Sequence, residues 1–435
     1  MRYFLRLFFI LTIAQFQLSA GNLVSYLQQF PQVVEIIPMT PNAFFQEAVQ
    51  IRLLQPVDHR NPDLGIFSQR VFVSIKTPNA PVVLVTEGYV ANYGANSGYL
   101  NELCSILEAS QVVVEHRYFG QSWPDPVNWE FLTVENAAGD HHTIVNLLKP
   151  YLSGKWVNTG ISKGGQTAVL HRVFHPEDVD LTVSYVAPFN FGVEDGRHEP
   201  FIDNIPGTAK EREKVLAFQH LLLDKRQQLM PLFSQLVADK NYTFSAPINA
   251  IYDYCVLEYS FAFWQWGSNP ALIPGSESTL QEVFDHFEKI SSPDYFAREG
   301  LDRIGSFFVQ AARELGYYGY DTKPFKGKLS IESAEGYLAR LFMPDNYSTP
   351  FDDRSVKKTE AFLDSTNAQI IFIYGANDPW TASGFNPPAR ENFLKIVQEG
   401  ASHGIRIGRL DEKNQTLVVD RLKAWVSINE PVLAE

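Results

Sequence analysis

Hydrophobic positions along the chain follow more than one period. Residues 44 to 54 and 66 to 76 are rich in β-branched and aromatic side chains. The turn-forming Asp58-His-Arg-Asn-Pro62 separates them, which predicts an antiparallel hairpin. Short unbroken apolar runs follow: Pro81-Val-Val-Leu-Val-Thr86, Val112-Val-Val114, Trp156-Val-Asn-Thr159 and Leu181 to Val186. Such runs read as strands covered on both faces. Helical spacing appears between them. Tyr99, Leu100, Leu103 and Leu107 predict a helix over 98–109, and further helices are expected over 133–149 and 164–174. Strands alternating with helices predict crossover units and a mostly parallel sheet.

From about 191 to 355 the alternation stops. That stretch is mostly helical in pattern and carries aromatic clusters, among them Tyr259-Ser-Phe-Ala-Phe-Trp-Gln-Trp266. Afterwards a helix over 358–365, a strand from Gln369 to Tyr374 and a strand from Lys395 to Gln398 restore the earlier pattern. An amphipathic helix with Leu417, Leu422 and Trp425 closes the chain. The organisation expected is one α/β domain over 21–190 and 356–435, interrupted by a helical insertion at 191–355.

The start of the chain reads as an address. Met1 to Arg6 is a positive region, Leu7 to Ile13 an apolar one, and Leu18-Ser-Ala20 offers a cut before Gly21. The apolar run is shorter than the ~20 residues that span a bilayer. Residues 1–20 are therefore expected to be a signal peptide of an exported protein, periplasmic or extracellular, without a stable membrane anchor.

Composition narrows the partners. The 435 residues are 45% hydrophobic, and 36 Lys+Arg stand against 49 Asp+Glu for a net charge of -13. A chain this acidic is a poor nucleic-acid binder, since phosphate contacts need a basic surface. Cys104 and Cys255 are too few for a disulfide framework or a thiolate zinc site, and a single bridge between them stays open.

The sharpest chemical signal is Gly160-Ile-Ser162-Lys-Gly164, followed by Gly165. It fits the G-x-S-x-G nucleophile elbow, and it sits where that motif belongs, after an expected strand and opening an expected helix. A serine hydroxyl needs a base, and the base needs an orienting acid. On the α/β-hydrolase fold these follow in the order serine, acid, histidine, on loops after later strands. Asp378 lies just beyond the strand Ile370 to Tyr374, in Gly375-Ala-Asn-Asp378-Pro-Trp380. His403, in Gly400-Ala-Ser-His403-Gly404, follows the next strand. Ser162 and Asp378 are 216 residues apart, whereas two βα units need roughly 70. The surplus matches the helical insertion, which should lie over the carboxyl ends of the strands as a cap.

An oxyanion hole needs backbone N–H groups. One is expected from Lys163, its side chain solvated and catalytically idle. The second is expected from the loop Glu87-Gly88-Tyr89, with Tyr89 ahead of Gly88. The pairs His141-His142 and His171 with His175 read as surface or core histidines rather than metal ligands, because no HExxH pattern accompanies them. No phosphate loop or dinucleotide motif occurs, and neither metal nor cofactor is expected.

Longer stretches carry a resemblance. Gly160-Ile-Ser-Lys-Gly-Gly-Gln-Thr-Ala-Val-Leu-His-Arg172 resembles the elbow of the bacterial secreted tripeptidyl-aminopeptidase family of serine peptidases, and Tyr185-Val-Ala-Pro188 fits the same group. Glu115-His-Arg-Tyr-Phe-Gly-Gln-Ser122 resembles a signature shared with lysosomal Pro-X carboxypeptidase and dipeptidyl peptidase II. Pro56-Val-Asp-His59, Trp264-Gln-Trp-Gly267 and Glu314-Leu-Gly-Tyr-Tyr318 are similar to that group as well. The resemblance implies an α/β-hydrolase fold with a helical cap and a cofactor-free exopeptidase, with Ser162, Asp378 and His403 at the triad positions. It leaves Glu115 to Ser122 with a structural role.

An aminopeptidase must hold a protonated α-amine, a task suited to carboxylates on the cap. Glu194, Asp195 and Glu314 are the candidates. The substrates expected are peptides with a free N-terminus, shortened by short peptides, with a link to proline left open. A carboxylesterase or lipase would use the same triad, and an inactive binding protein could share the scaffold.

Overall fold

Strands form where the sequence offers either strict alternation or full apolar runs. A computed structural model describes residues 23–345 and 347–426, without the side chain of Asp302. The expected signal peptide, residues 1–20, lies outside the described residues. Strand β1 (Val33–Pro38) was not marked by the sequence pattern; it adds antiparallel to β2 (Glu47–Pro56), which pairs with β3 (Ile66–Ile75) as the expected hairpin. Strands β4 (Val82–Thr86), β5 (Ser110–Val114) and β7 (Leu181–Tyr185) are buried along their whole length. Together with β6 (Trp156–Ile161), β8 (Gln369–Gly375) and β9 (Phe393–Gln398) they run parallel. The sheet order is β1-β2-β3-β5-β4-β6-β7-β8-β9, and β3 joins β5 antiparallel. This is the mostly parallel sheet of an α/β-hydrolase.

Helices cover both faces. On one, Val83, Val85 and Val113 of the strands pack with Leu103 and Leu107 of α1 (Glu102–Leu107) and share a core with Val418 and Leu422 near the C-terminus. On the other, Val82, Leu84 and Val112 meet Ile144, Val145 and Leu148 of α2 (Val134–Leu148). Helix α1 is shorter than the spacing predicts. The Asn101 side chain accepts from the Leu103 N–H and caps the first turn there, so Tyr99 and Leu100 stay outside it. Helix α3 (Lys163–Phe174) follows β6 directly.

Between β7 and β8 the chain builds a helical layer with a core of its own. It comprises α4 (His198–Asn204), α5 (Ala209–Asp224), α6 (Arg226–Lys240), α7 (Ile248–Gln265), α8 (Leu280–Ile290), α9 (Arg298–Gln310) and α10 (Tyr337–Phe342). Its cluster runs from Val215 and Phe218 through Tyr252, Tyr259 and Phe308 to Phe342, and it reaches Trp380 of the main domain. Helix α11 (Arg354–Ser365) returns the chain to the sheet, packing Val356 and Leu363 against Phe372, and α12 (Glu412–Val426) closes it. Cys104 and Cys255 are both buried free thiols, one in the sheet core and one in the helical core, so no bridge joins them.

The Glu115 to Ser122 stretch is a polar lock beneath this architecture. Glu115 is fully buried and accepts from Arg70, from the Ala91 N–H at 3.1 Å, and from the Gln121 N–H and Ser122 hydroxyl at 2.8 Å each. Arg117 is also fully buried and grips Asp140 of α2 with two bonds of 2.7 Å, while donating to the carbonyls of Pro56, Val57 and Phe131. His59 meets the same carboxylate at 2.8 Å. One guanidinium therefore ties the β2–β3 hairpin to α2. Removing one partner of a buried pair leaves an uncompensated charge. Arg117→Met is expected to cost about 3–5 kcal/mol in urea unfolding; a midpoint shift worth under ~1 kcal/mol would contradict the role given to this pair.

Candidate active site

The topology places a crevice where β4 and β6 lie side by side. The chain leaves β4 for β5 on one side and later returns to β6 on the other, so the loops at their carboxyl ends diverge. Ser162 stands in that crevice, between the end of β6 and the first residue of α3. Its backbone sits at φ 57 and ψ -123, a region a serine avoids unless its surroundings impose it. They do. A Cβ on Gly160 would lie 2.2 Å from the carbonyl of Gly164, so only glycine lets strand and helix come this close. The Ser162 N–H donates to the Tyr185 carbonyl at 2.8 Å, and its own carbonyl accepts from the Gln166 N–H at 2.9 Å.

Two strands along, the acid and the base meet. Asp378 is fully buried in the turn after β8, where one oxygen accepts from the Trp380 N–H at 3.2 Å. The other lies 2.7 Å from Nδ1 of His403, which is 5% exposed. That contact places the imidazole proton on Nδ1 and the lone pair on Nε2. The His403 N–H donates to the Gln265 carbonyl at the end of α7, at 3.0 Å. Trp266 follows, 68% exposed, with its ring 5.8 Å from the imidazole. The sequence-expected trio thus stands on one rim of the sheet.

The loop Glu87-Gly88-Tyr89 leaves β4 against the elbow. Lys163 corrects the expectation of a solvated side chain: it is 2% exposed. Its Nζ donates to the Gly88 carbonyl at 2.6 Å and lies 5.5 Å from the Tyr89 ring centre and 5.0 Å from that of Phe119. Burial drives the ammonium pKa well below its ordinary value, partly offset by the carboxylate of Glu87. Glu87 is itself bonded to the Tyr93 hydroxyl, and burial raises its pKa. The loop packs so tightly on the elbow that the lysine stem fills the space left by Gly88. The N–H groups of Tyr89 and Lys163 donate to no protein acceptor among the described residues.

Comparison with known proteins then decides the family. The sequence model described as PS-10 peptidase S37 matches residues 26–434. The chain belongs to the PS-10 peptidase S37 family. It is a serine peptidase. A prolyl tri/tetrapeptidyl aminopeptidase of Streptomyces mobaraensis is 29% identical over 383 residues, which cover 86% of this chain and 79% of that one. Lysosomal Pro-X carboxypeptidase of Mus musculus is 30% identical over 443 residues, covering 86% and 88%. A crystal structure of proline iminopeptidase from Mycobacterium smegmatis, 14% identical, superposes with a TM-score of 0.40 over 86% of this chain and 98% of that one.

In this S37 peptidase the helical layer roofs the crevice with aromatic rings. Tyr89 touches Phe307, Phe307 touches Tyr317, and Tyr317 touches Trp380, with ring centres 5.4 to 5.7 Å apart. Behind them Glu258 of α7 is 6% exposed and accepts the hydroxyls of Tyr318 and Tyr320 on Oε2, each at 2.8 Å. Its Oε1 takes no donor from the described residues. Burial pushes this carboxyl up to about 7 against the pull of both tyrosines. Sequence reasoning passed over Glu258; the available signal was one of two acids, with Asp253, in an otherwise largely apolar and aromatic helix.

The acids picked from the sequence have other partners. Asp195 is engaged by Arg197, at 2.5 and 2.8 Å, and by the Phe191 N–H at 2.9 Å. Glu314 lies on the π-helical continuation of α9, where it accepts the first N–H of α2, that of Val134, at 2.7 Å. Asp195 is occupied on both oxygens, which corrects its selection as an amine ligand, whereas Glu314 spends one oxygen on the start of α2 and its Oε1 takes no donor from the described residues. Glu194 accepts the Gly336 N–H at 2.5 Å and keeps its second oxygen without a protein donor among the described residues.

Glu258 and Glu314, both pushed up to about 7 by burial from an ordinary 4.5, give a pH signature. Their folded pKa lies above the unfolded one, so the folded state holds extra protons between about 4.5 and 7. The stability linked to them is full below that window and lost as pH rises through it. Relative to Glu258→Gln, the parent is expected to lose up to ~3 kcal/mol between pH 4.5 and 8. Thermal unfolding of both across that range reads it; parallel curves would contradict it.

Proposed function

We propose that this peptidase releases short peptides, three residues in the first instance, from free N-termini through an acyl-enzyme at Ser162. The Ser162 hydroxyl attacks the scissile carbonyl while Nε2 of His403 takes its proton and then delivers it to the leaving amine. Asp378 holds the imidazole in the tautomer that this requires. Water repeats the sequence to free the acyl product. The N–H groups of Tyr89 and Lys163 receive the tetrahedral oxygen, with Gly88 supplying the close approach rather than a donor. The work is done outside the cytoplasm after loss of residues 1–20.

The observation that carries an exopeptidase rather than an esterase is Glu258, a carboxylate with an unengaged oxygen behind an aromatic wall. A protonated amine entering there gains a charge-assisted bond and draws the Glu258 proton off. Glu194 is another acid on the cap with an oxygen to spare. The flat faces of Trp380, Tyr317 and Phe307 suit a pyrrolidine ring, and the name of the Streptomyces relative supports a prolyl residue on the acyl side.

Ser162→Ala is expected to lose turnover of a free-amine tripeptide p-nitroanilide by at least about 10³-fold and to escape labelling by a fluorophosphonate. The parent should spare the N-acetylated substrate. Equal cleavage of blocked and free peptides, with p-nitrophenyl esters preferred to both, would establish the esterase reading.

Lys163 has a second part to play. A trans peptide holds its C=O and N–H on opposite sides. By pinning the Gly88 carbonyl, Nζ turns the Tyr89 N–H the other way, toward the serine. Lys163→Met is therefore expected to lower kcat about 10- to 100-fold with KM nearly unchanged, as for a weakened oxyanion donor. An unchanged kcat, or a loss confined to KM, would refute this positioning role.

A further inference from the structure

At the far end of α3 from Ser162 the fold gathers side chains that the sequence kept apart. His142 comes from α2, His171 and His175 from the end of α3, and Asp178 from the turn beyond. Nδ1 of His142 lies 2.9 Å from both oxygens of Asp178, and Nε2 of His171 lies 2.9 Å from Oδ2. The His142 and His175 rings stack at 4.1 Å. One ligand atom each from His142, His175 and Asp178 lies within 4.8 Å of the others. The sequence reading paired these histidines with their chain neighbours, and neither pair was the spatial one.

We propose that His142, His175 and Asp178 bind one divalent transition-metal ion of the zinc class, with water in the fourth position.

The donor set selects that class. Imidazole suits zinc, copper and nickel, whereas calcium and magnesium demand a shell of oxygens. Metal–nitrogen and metal–oxygen bonds near about 2.0–2.2 Å need ligand atoms about 3.3 Å apart in a tetrahedron, so from a 4.8 Å span His175 must turn its ring out of the stack on His142 and move in by about 1.5 Å, while the His142–Asp178 contact hardly changes. The ion takes the place of the proton shared by Nδ1 of His142 and the carboxylate. That proton moves to Nε2, which leaves the Nδ1 lone pair for the ion. Nε2 now meets the Asn146 side-chain nitrogen at 2.9 Å, and turning that amide over presents an oxygen to the relocated proton.

The outer groups are already set. Asn158, fully buried on β6, donates to Nδ1 of His171 at 3.1 Å, which leaves the His171 proton on Nε2 and aims it at Asp178. The Asp178 carboxylate is fixed in place by its contacts with His171 and His142. A histidine holding a ligating carboxylate in place is the usual outer support of a metal site. His175 takes no hydrogen bond on its ring from the described residues and offers a lone pair. Helix α3 is 12 residues long, so the ion would stand roughly 18 Å from Ser162 and pin α2 to the turn after α3 without touching the reaction.

The test uses the full-length protein, stripped with EDTA and then dialysed. Titration with Zn²⁺ by calorimetry is expected to give one site per chain with Kd of 10 µM or tighter, and Co²⁺ to give the visible bands of a tetrahedral centre. Zn²⁺ at 100-fold excess over Kd should raise Tm. His175→Gln and Asp178→Asn should each weaken binding at least tenfold, and His175→Gln, at a partly exposed position, should keep its peptidase activity. No stoichiometric Zn²⁺ binding in the parent, or equal binding in His175→Gln and the parent, would overturn the proposal. Loss of activity on EDTA treatment alone, restored by Zn²⁺ in His175→Gln, would place a metal elsewhere and equally overturn it.

Discussion

The backbone of Ser162 carries the whole arrangement. A serine at φ 57 does not rest there by its own preference, and it stays only because β6, α3 and the loop after β4 are packed closer than any side chain would allow. Gly160 brings the strand within contact of the Gly164 carbonyl, and Gly88 lets the β4 loop settle on the stem of Lys163. The strain exposes the hydroxyl, and the packing that imposes it also brings two free N–H groups alongside. The serine and both N–H groups owe their placement to one close approach. Loosening it would cost both together.

The polar interior follows a division of labour. Arg117 with Asp140 and Glu115 with Arg70 are buried ion pairs, and their work is to fix how the antiparallel hairpin meets the parallel strands. Glu258 is also buried, but one of its oxygens has no protein donor, and its carboxyl is pushed up to about 7. A buried charge that the protein declines to satisfy is costly. Such a cost at the back of a roofed crevice is what a site for a cationic ligand looks like before the ligand arrives.

How much the sequence disclosed depended on whether a property was local. The parallel strands were readable because burial on both faces leaves unbroken apolar runs, and the elbow because its glycines are neighbours in the chain. Asp378 and His403 were found through chain order and loop position. What escaped was set by distant contacts. β1 is exposed at four of its six positions and has no apolar run to mark it. Lys163 reads as a surface residue until Gly88, 75 positions earlier, supplies its partner. Asp195 and Glu314 read as free acids until Arg197 and the start of α2 are seen to claim them. Histidine spacing along the chain misled for the same reason, since His142 and His175 stack across two helices.

A backbone contact joins the roof to the His403 loop. His403 donates its N–H to Gln265, the last residue of α7, and that same helix carries Glu258 two turns earlier. Any shift of α7 therefore moves the imidazole loop and the carboxylate proposed to meet the substrate amine together. Phe261, between them on the helix, stacks on Tyr318 at 3.7 Å and packs against Trp380 beside the acid. A substrate whose amine seats against Glu258 pulls on the element that holds the base in register. Remote binding energy can then be spent on aligning the base, a route by which truncated or blocked substrates lose kcat as well as affinity.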